Sequence, residues 1–274
     1  MAIQKKVSTA FSILKQKGPQ GVMKTIQQKL AARRNPDEAA IIFEILSGHM
    51  TPGTMVDVGA HHGYSLLPFA KAGWQVFAFE PDPENRAVLQ KTADLYPNIS
   101  IDPRAVSDKE VTAAPFFTSQ ESDGIGGLSA FLPSHETSFT VETTTLGSYF
   151  DEKDLEELHF LKIDTEGFDL MVLQGVPWDK VRPQVILCEF EDAKTQKLGY
   201  SFETMAEFLV DLGYRMIISE WRPIVRYGEP HRWFGFGTYP HTLHDEKTWG
   251  NLIATNEEEI YQKLLNQCKL VNKT

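Results

Sequence analysis

Two sets of residues in this chain have types and spacings that can do chemistry. The first is Met55-Val-Asp-Val-Gly-Ala-His-His-Gly63 followed by Val76-Phe-Ala-Phe-Glu80. It reads as an apolar strand, a glycine turn, a crossing helix and a second apolar strand that ends on a carboxylate. Gly59 clears the strand end for a ligand, Gly63 lets the next helix start close to the sheet, and main-chain N–H groups at that helix start face any anionic group. Glu80 follows Gly59 by 21 residues, the distance that suits a carboxylate accepting two ribose hydroxyls. His61 and Tyr64 stand where a dinucleotide fingerprint G-x-G-x-x-G wants its second and third glycines. A ligand with one ribose, an amine and a carboxylate fits better, and S-adenosyl-L-methionine is that ligand. Asp57, just ahead of the turn, can accept from its ammonium or fix the loop.

The second set is His159-Phe-Leu-Lys-Ile-Asp-Thr-Glu-Gly-Phe-Asp169 together with Val185-Ile-Leu-Cys-Glu189 and the acids after it. Asp164 marks the carboxyl end of a strand, and Gly167 permits a turn into a helix. If these two strands are neighbours, Asp164, Glu166 and Glu189 converge on the rim that carries Asp57 and Glu80. Close carboxylates raise one another's pKa, which makes a base usable near neutral pH. Glu166 is the first choice for that base, with Asp164 orienting the acceptor or donor. A divalent cation shared by these acids is open but not favoured, and no metal ligands are assigned. Helix capping by one or both acids is the bland alternative.

These centres need elements to position them. Asn35-Pro36-Asp37-Glu38 reads as a helix start, with Asn35 as cap and Glu38 bonding back to it, and the helix stops near Gly48. A helix from Pro83 to about Tyr96, an interrupted strand from Ile99 to Val106, and strands over 113–118 and 137–145 follow strand 2. Between the last two lies the glycine- and serine-rich segment 119–133, either a long hairpin tip or a substrate lid. Further on, Trp221 to Trp233 is dense in aromatics, arginine and histidine. Tyr227 and Trp233 suit a sugar ring, and His231 could replace Glu166 as base.

Composition sets the limits. The 274 residues can bury one large core, and aromatic residues make up 11%. No apolar run approaches the roughly 20 residues that span a bilayer, and the N-terminus lacks a signal-like core, so a cytoplasmic protein is expected. Two cysteines, Cys188 in an apolar run and Cys268 near the C-terminus, read as structural. Residues 1–34 carry a net of +8 against −10 for the whole chain, leaving −18 for the rest. Val7, Phe11 and Leu14, then Val22, Ile26 and Leu30, suggest two basic amphipathic helices. They can pack on the acidic body, form a homodimer contact, or rest on an anionic membrane surface. The acidic body disfavours nucleic acid. The expected division is a helical N-terminal extension over 1–48 and a Rossmann-like domain over 49–274.

Val56-Asp-Val-Gly-Ala-His-His-Gly63, Phe79-Glu-Pro81, Ala105-Val-Ser-Asp108, Thr143-Thr-Thr-Leu-Gly-Ser-Tyr149 and Leu161-Lys-Ile-Asp-Thr-Glu-Gly167, in that order, resemble the FkbM family of S-adenosylmethionine-dependent methyltransferases. The likeness covers about 54–192. It implies an α/β, Rossmann-like class I methyltransferase with a seven-stranded, mostly parallel sheet and helices on both faces. Asp57, Gly59 and Gly63, with Ala60 and His61 between them, would meet the methionine part. Glu80 with Pro81 would hold the ribose, Val106, Ser107 and Asp108 the adenine edge, and Asp164 and Glu166 would face the acceptor. Gly147 departs from the family, which has an acidic residue there. The resemblance implies transfer of a methyl group to a hydroxyl of a small molecule or glycan, such as a surface-polysaccharide sugar. The rivals are an NAD(P)-dependent oxidoreductase and a binding protein without turnover.

Overall fold

The computed structural model describes residues 35–227 and 229–272; the two basic helices expected before Asn35 lie outside them. Strands β1 (Thr54–Val58), β2 (Gln75–Phe79) and β3 (Ile99–Asp102) are joined by helices α1 (Leu67–Lys71) and α2 (Pro83–Ala93). They lie parallel in the order β3-β2-β1. β1 is apolar apart from Thr54 and Asp57, as a strand covered on both faces must be.

The chain then leaves this sheet. β4 (Ala105–Val106), β5 (Val111–Ser119), β6 (Ser122–Gly127) and β7 (His135–Thr144) form a separate sheet ordered β4-β7-β5-β6. The glycine-rich segment expected as a hairpin tip or lid is therefore partly β6, paired with β5. Its composition hid a strand whose glycines are needed for close approach.

Helix α3 (Leu146–Lys153) returns to β8 (Phe160–Ile163), which pairs with β1 on the side opposite β2. The strand order reverses there, at the switch point where such sheets bind ligands. Beyond β8 come helix α4 (Asp169–Gln174), β9 (Val185–Glu191) and the short helix α5 (Asp192–Thr195), then helix α6 (Phe202–Asp211) and β10 (Arg215–Trp221). β11 (Trp233–Thr238), β12 (Trp249–Thr255) and helix α7 (Glu258–Val271) complete it. The full order is β11-β10-β12-β9-β8-β1-β2-β3, with β12 antiparallel to both neighbours. The seven strands from β3 to β10 are the expected Rossmann-like class I arrangement, and β11 adds an eighth.

Apolar side chains from both faces make the core. One face packs Phe79, Tyr149, Phe190 and Leu209; the other packs Phe69, Trp74, Leu187 and Leu264. Ahead of β1, the helix Glu38–Ser47 stops at Gly48 as expected, but its cap is Asp37, whose side chain accepts from Ala40 N–H at 2.9 Å. Asn35 instead donates to the His231 carbonyl at 2.9 Å. Glu38 turns inward, is 8% exposed, and accepts from Ser219 Oγ at 2.5 Å and Trp221 Nε1 at 3.1 Å. Burial raises its pKa, against the pull of these donors. At the sheet's edge, Asn272 accepts from Phe236 N–H at 2.8 Å and donates to its carbonyl at 2.9 Å. Among the described residues no helix is long and apolar enough to cross a membrane.

Candidate active site

The turn after β1 is held between two neighbouring strand ends. Gly59 and Ala60 N–H both donate to the Phe79 carbonyl, at 3.1 and 3.0 Å. Gly59 has φ +80°, and a Cβ there would lie 1.8 Å from the Asp164 carbonyl oxygen. Only glycine fits. His61 continues the turn at φ +48°, and its N–H donates to Glu80 Oε2 at 2.6 Å. Asp82 N–H donates to Glu80 Oε1 at 2.9 Å. The helix expected directly after Gly63 begins only at Leu67, so the main-chain donors come from the turn and not from a helix end.

Glu80 is buried, which pushes its pKa up to about 7 against the pull of the two N–H groups. Each oxygen keeps a lone pair for a further donor. Beside it opens a cavity of about 280 Å³ bounded by Gly59, His61, Glu80, Pro81, Val106, Asp164 and Glu166. Phe116 and Leu128 give it apolar walls, and Asp123, Gly126 and Gly127 bring β6 against it. A Cβ at Gly127 would come within 3.2 Å of the Thr165 carbonyl oxygen, so β6 approaches the Asp164–Glu166 turn as closely as backbone allows. A buried carboxylate at a glycine cradle, facing a partly apolar cavity, fits the diol and flat base of a nucleoside such as S-adenosyl-L-methionine carries.

Of the cofactor set read from the sequence, Gly59, His61, Glu80, Pro81, Val106 and Asp164 line this cavity. Asp57, Ala60, Gly63, Ser107 and Asp108 do not line it. Asp57 is fully buried, accepts from Ser65 Oγ at 2.7 Å and pairs with Lys162 Nζ at 3.2 Å. The Ser65 contact ties it to the loop after the glycine turn. Burial opposes the charge on Lys162, yet Asp57 and Asp164 hold its pKa up. Ser107 donates to Asp108 at 2.9 Å.

The acceptor side gathers around a residue that sequence reasoning missed. Lys194, on α5 and 2% exposed, places Nζ 2.6 Å from Glu166, 3.0 Å from Glu189 and 2.8 Å from Glu191. One ammonium faces three buried carboxylates. Burial raises Glu166 to about 7 and Glu189 well above its ordinary range, with Lys194 pulling both down. Lys194 also supplies charge that a divalent ion would otherwise give these acids. Its spacing of three from Glu191 reads in sequence as a surface helix pair, and no periodicity flags it as buried.

Glu166 lies in the left-handed region, φ +57°, and Gly167 follows at φ +107°. Tyr200 Oη holds the turn through the Gly167 carbonyl at 2.7 Å. Asp169 accepts from Thr165 Oγ1 at 3.0 Å and Glu189 N–H at 3.3 Å, and burial lifts it to about 6. Phe131, from the segment after β6, sets its ring 5.1 Å from Lys194 Nζ, and Tyr227 lies 6.0 Å away on its ring.

Tyr227 therefore joins the cluster, 3.5 Å from Glu191 Oε1. His231 packs edge-on to Trp249, its pKa lowered by burial and raised by Glu191. Trp233 is not brought to the cavity. It belongs to β11, where its indole N–H donates to Ser219 Oγ at 3.1 Å and its ring meets Phe236. A half-buried indole needs a partner for its N–H, and this one finds it inside the sheet.

No curated protein matches the chain. Solved structures similar to it include a precorrin-6y C5,15-methyltransferase from Geobacter metallireducens GS-15, at 13% identity and TM-score 0.41, covering 79% of this chain and 86% of that one. Another is an rRNA methylase from Streptococcus thermophilus, at 11% identity and TM-score 0.41, covering 80% of this chain and 95% of that one. Likeness at this level says nothing of the chemistry. The Methyltransferase FkbM domain model matches residues 57–216, which include the glycine turn, Glu80, the Asp164–Gly167 turn and Lys194. The chain belongs to the FkbM methyltransferase family.

Proposed function

We propose that this protein transfers a methyl group from S-adenosyl-L-methionine to a hydroxyl, on a sugar of a surface polysaccharide or its precursor. The observation that carries this reading is one cavity bounded by both a nucleoside cradle, Gly59 with Glu80, and a buried carboxylate poised near neutrality, Glu166. When bound, the cofactor supplies a methyl group on a sulfonium, electrophilic without further activation. Glu80 orients the diol, and Asp164 and Glu166 hold the acceptor in line with the methyl carbon. The acceptor hydroxyl gives its proton to Glu166 as its oxygen takes the methyl group, and the bond from that carbon to sulfur would break to leave a neutral thioether. Lys194 keeps Glu166 within reach of ionisation at neutral pH. Phe131 and Tyr227 support a sugar reading, since aromatic faces beside carboxylates suit C–H faces edged with hydroxyls.

The test is incubation with methyl-labelled S-adenosyl-L-methionine and fractionated surface carbohydrate. Label in a methyl ether of a sugar supports the proposal, and label only in nucleic acid or protein overturns it. Stabilisation against heat by S-adenosylhomocysteine but not by NAD separates it from an oxidoreductase on the same fold.

A further inference from the structure

A second group of ligating side chains lies outside this cavity, on strand β10 and the β11–β12 connection. Glu220, 1% exposed, ends β10 beside Trp221, and His241 and His244 come from the segment before β12. His241 Nε2 lies 2.8 Å and His244 Nδ1 2.7 Å from the same oxygen, Glu220 Oε2. The other oxygen, Oε1, accepts His244 N–H at 2.7 Å, which fixes the carboxylate plane. Three ligating atoms, one from each residue, lie within 4.8 Å of one another.

Both rings are held in place. A Cβ on Gly237 would lie 2.5 Å from His241 Nδ1, so this ring packs directly on the strand backbone with Nε2 turned to Glu220. Phe234 stacks on His244 with centroids 4.5 Å apart and planes 9° apart. The three side chains border a cavity of about 300 Å³, separate from the one at Glu80, which leaves room for further ligands or water.

We propose that Glu220, His241 and His244 form a binding site for a divalent transition metal, with Zn²⁺ the best match. Two imidazoles and one carboxylate are the donor set this ion takes, and three protein ligands leave one position open. At Zn–N and Zn–O lengths of about 2.0–2.1 Å, tetrahedral ligands stand roughly 3.3 Å apart. The present contacts of 2.7–2.8 Å open by about half an ångström to admit the ion. The ion pins the segment before β12 to β10.

Isothermal titration of the chelator-treated full chain with ZnCl₂ is the test, read alongside Co²⁺ absorption and thermal melts. We expect one equivalent bound, a nitrogen-ligated Co²⁺ spectrum and a melting point that rises with zinc. The H241A/H244A variant is expected to lose affinity by more than the roughly 10–100-fold that removing an outer partner costs. E220Q serves as a second variant, whose loss of zinc affinity and of the zinc-dependent rise in melting point is read against its own metal-free melt. The H61A/H62A variant, which alters the other histidine pair beside Asp123, keeps zinc binding. No zinc uptake, or uptake lost in H61A/H62A and kept in H241A/H244A, overturns the proposal.

Discussion

The two rims of the cavity balance buried negative charge in opposite ways. At Glu80 one carboxylate is met by two main-chain N–H groups, supplied by a turn whose shape Gly59 fixes. At Glu166 three carboxylates share one ammonium, that of Lys194. The first is a rigid holder whose donors are backbone groups of fixed charge, although burial lifts Glu80 itself to about 7. The second carries surplus negative charge, and surplus buried charge is relieved by taking up protons. Binding suits the former and proton transfer the latter.

The comparison breaks most sharply at Glu166. E166Q is expected to slow methyl transfer by about 10²–10⁴-fold, the usual worth of a positioned base. In the parent the rate rises with pH as Glu166 loses its proton near 7, and the pH–rate profile of E166Q lacks that limb. Binding of S-adenosylhomocysteine stays close to the parent's, since Glu80 is untouched.

Next comes Lys194. K194M leaves the carboxylates without their counter-charge and should cost about 3–5 kcal/mol at pH 8. The sign follows from the direction of the shifts. Carboxyl groups raised in the folded state add stability that is full below their unfolded pKa, about 4.3, and is lost as pH rises through their folded values. Removing the ammonium raises Glu166 and Glu189 further, so the deficit of K194M in denaturant titration should shrink from pH 8 to pH 5.

E80Q removes the charge of the holder and sets an amide NH2 against one of the two N–H groups that the carboxylate accepted. Hydrogen bonds to a charged acceptor contribute about 1.5–3 kcal/mol, so S-adenosylhomocysteine affinity by calorimetry should fall roughly 10–150-fold. An E80Q protein that binds as tightly as the parent would dissolve the contrast between the rims. The smallest effect belongs to Tyr227, whose hydroxyl sits 3.5 Å from Glu191. Y227F should change stability by less than about 1 kcal/mol, while the acceptor KM rises if the ring and hydroxyl line the sugar site.

The same contrast explains what could be read from the sequence. Gly59 and Glu80 are 21 residues apart on adjacent strands, and strand, turn and strand are local patterns, so their meeting was legible. Asp164 and Glu166 were legible for the same reason, at the end of an apolar strand beside β1. Lys194 was not, because its burial depends on β9 ending where two acids of that strand and one of the turn after β8 close over it. β6 was hidden by glycines that read as loop, though Gly127 is there for close packing. In the aromatic segment composition misled. Trp233 looked like a sugar platform, yet it opens an edge strand in which Phe234 and Phe236 alternate with Gly235 and Gly237, and its indole N–H completes a network through Ser219 to Glu38. The Asn35 cap failed on a two-residue offset, since Asp37 offers the same acceptor closer to the first buried turn.

Where β11 ends the large sheet, the Asn272 amide grips both polar groups of Phe236. A primary amide offers one donor and one acceptor side by side, the same pair a peptide unit of an adjoining strand would present. It acts as a one-residue counterfeit of a ninth strand, supplied by the end of α7. Strand-by-strand growth between copies is thereby opposed at the middle of this border.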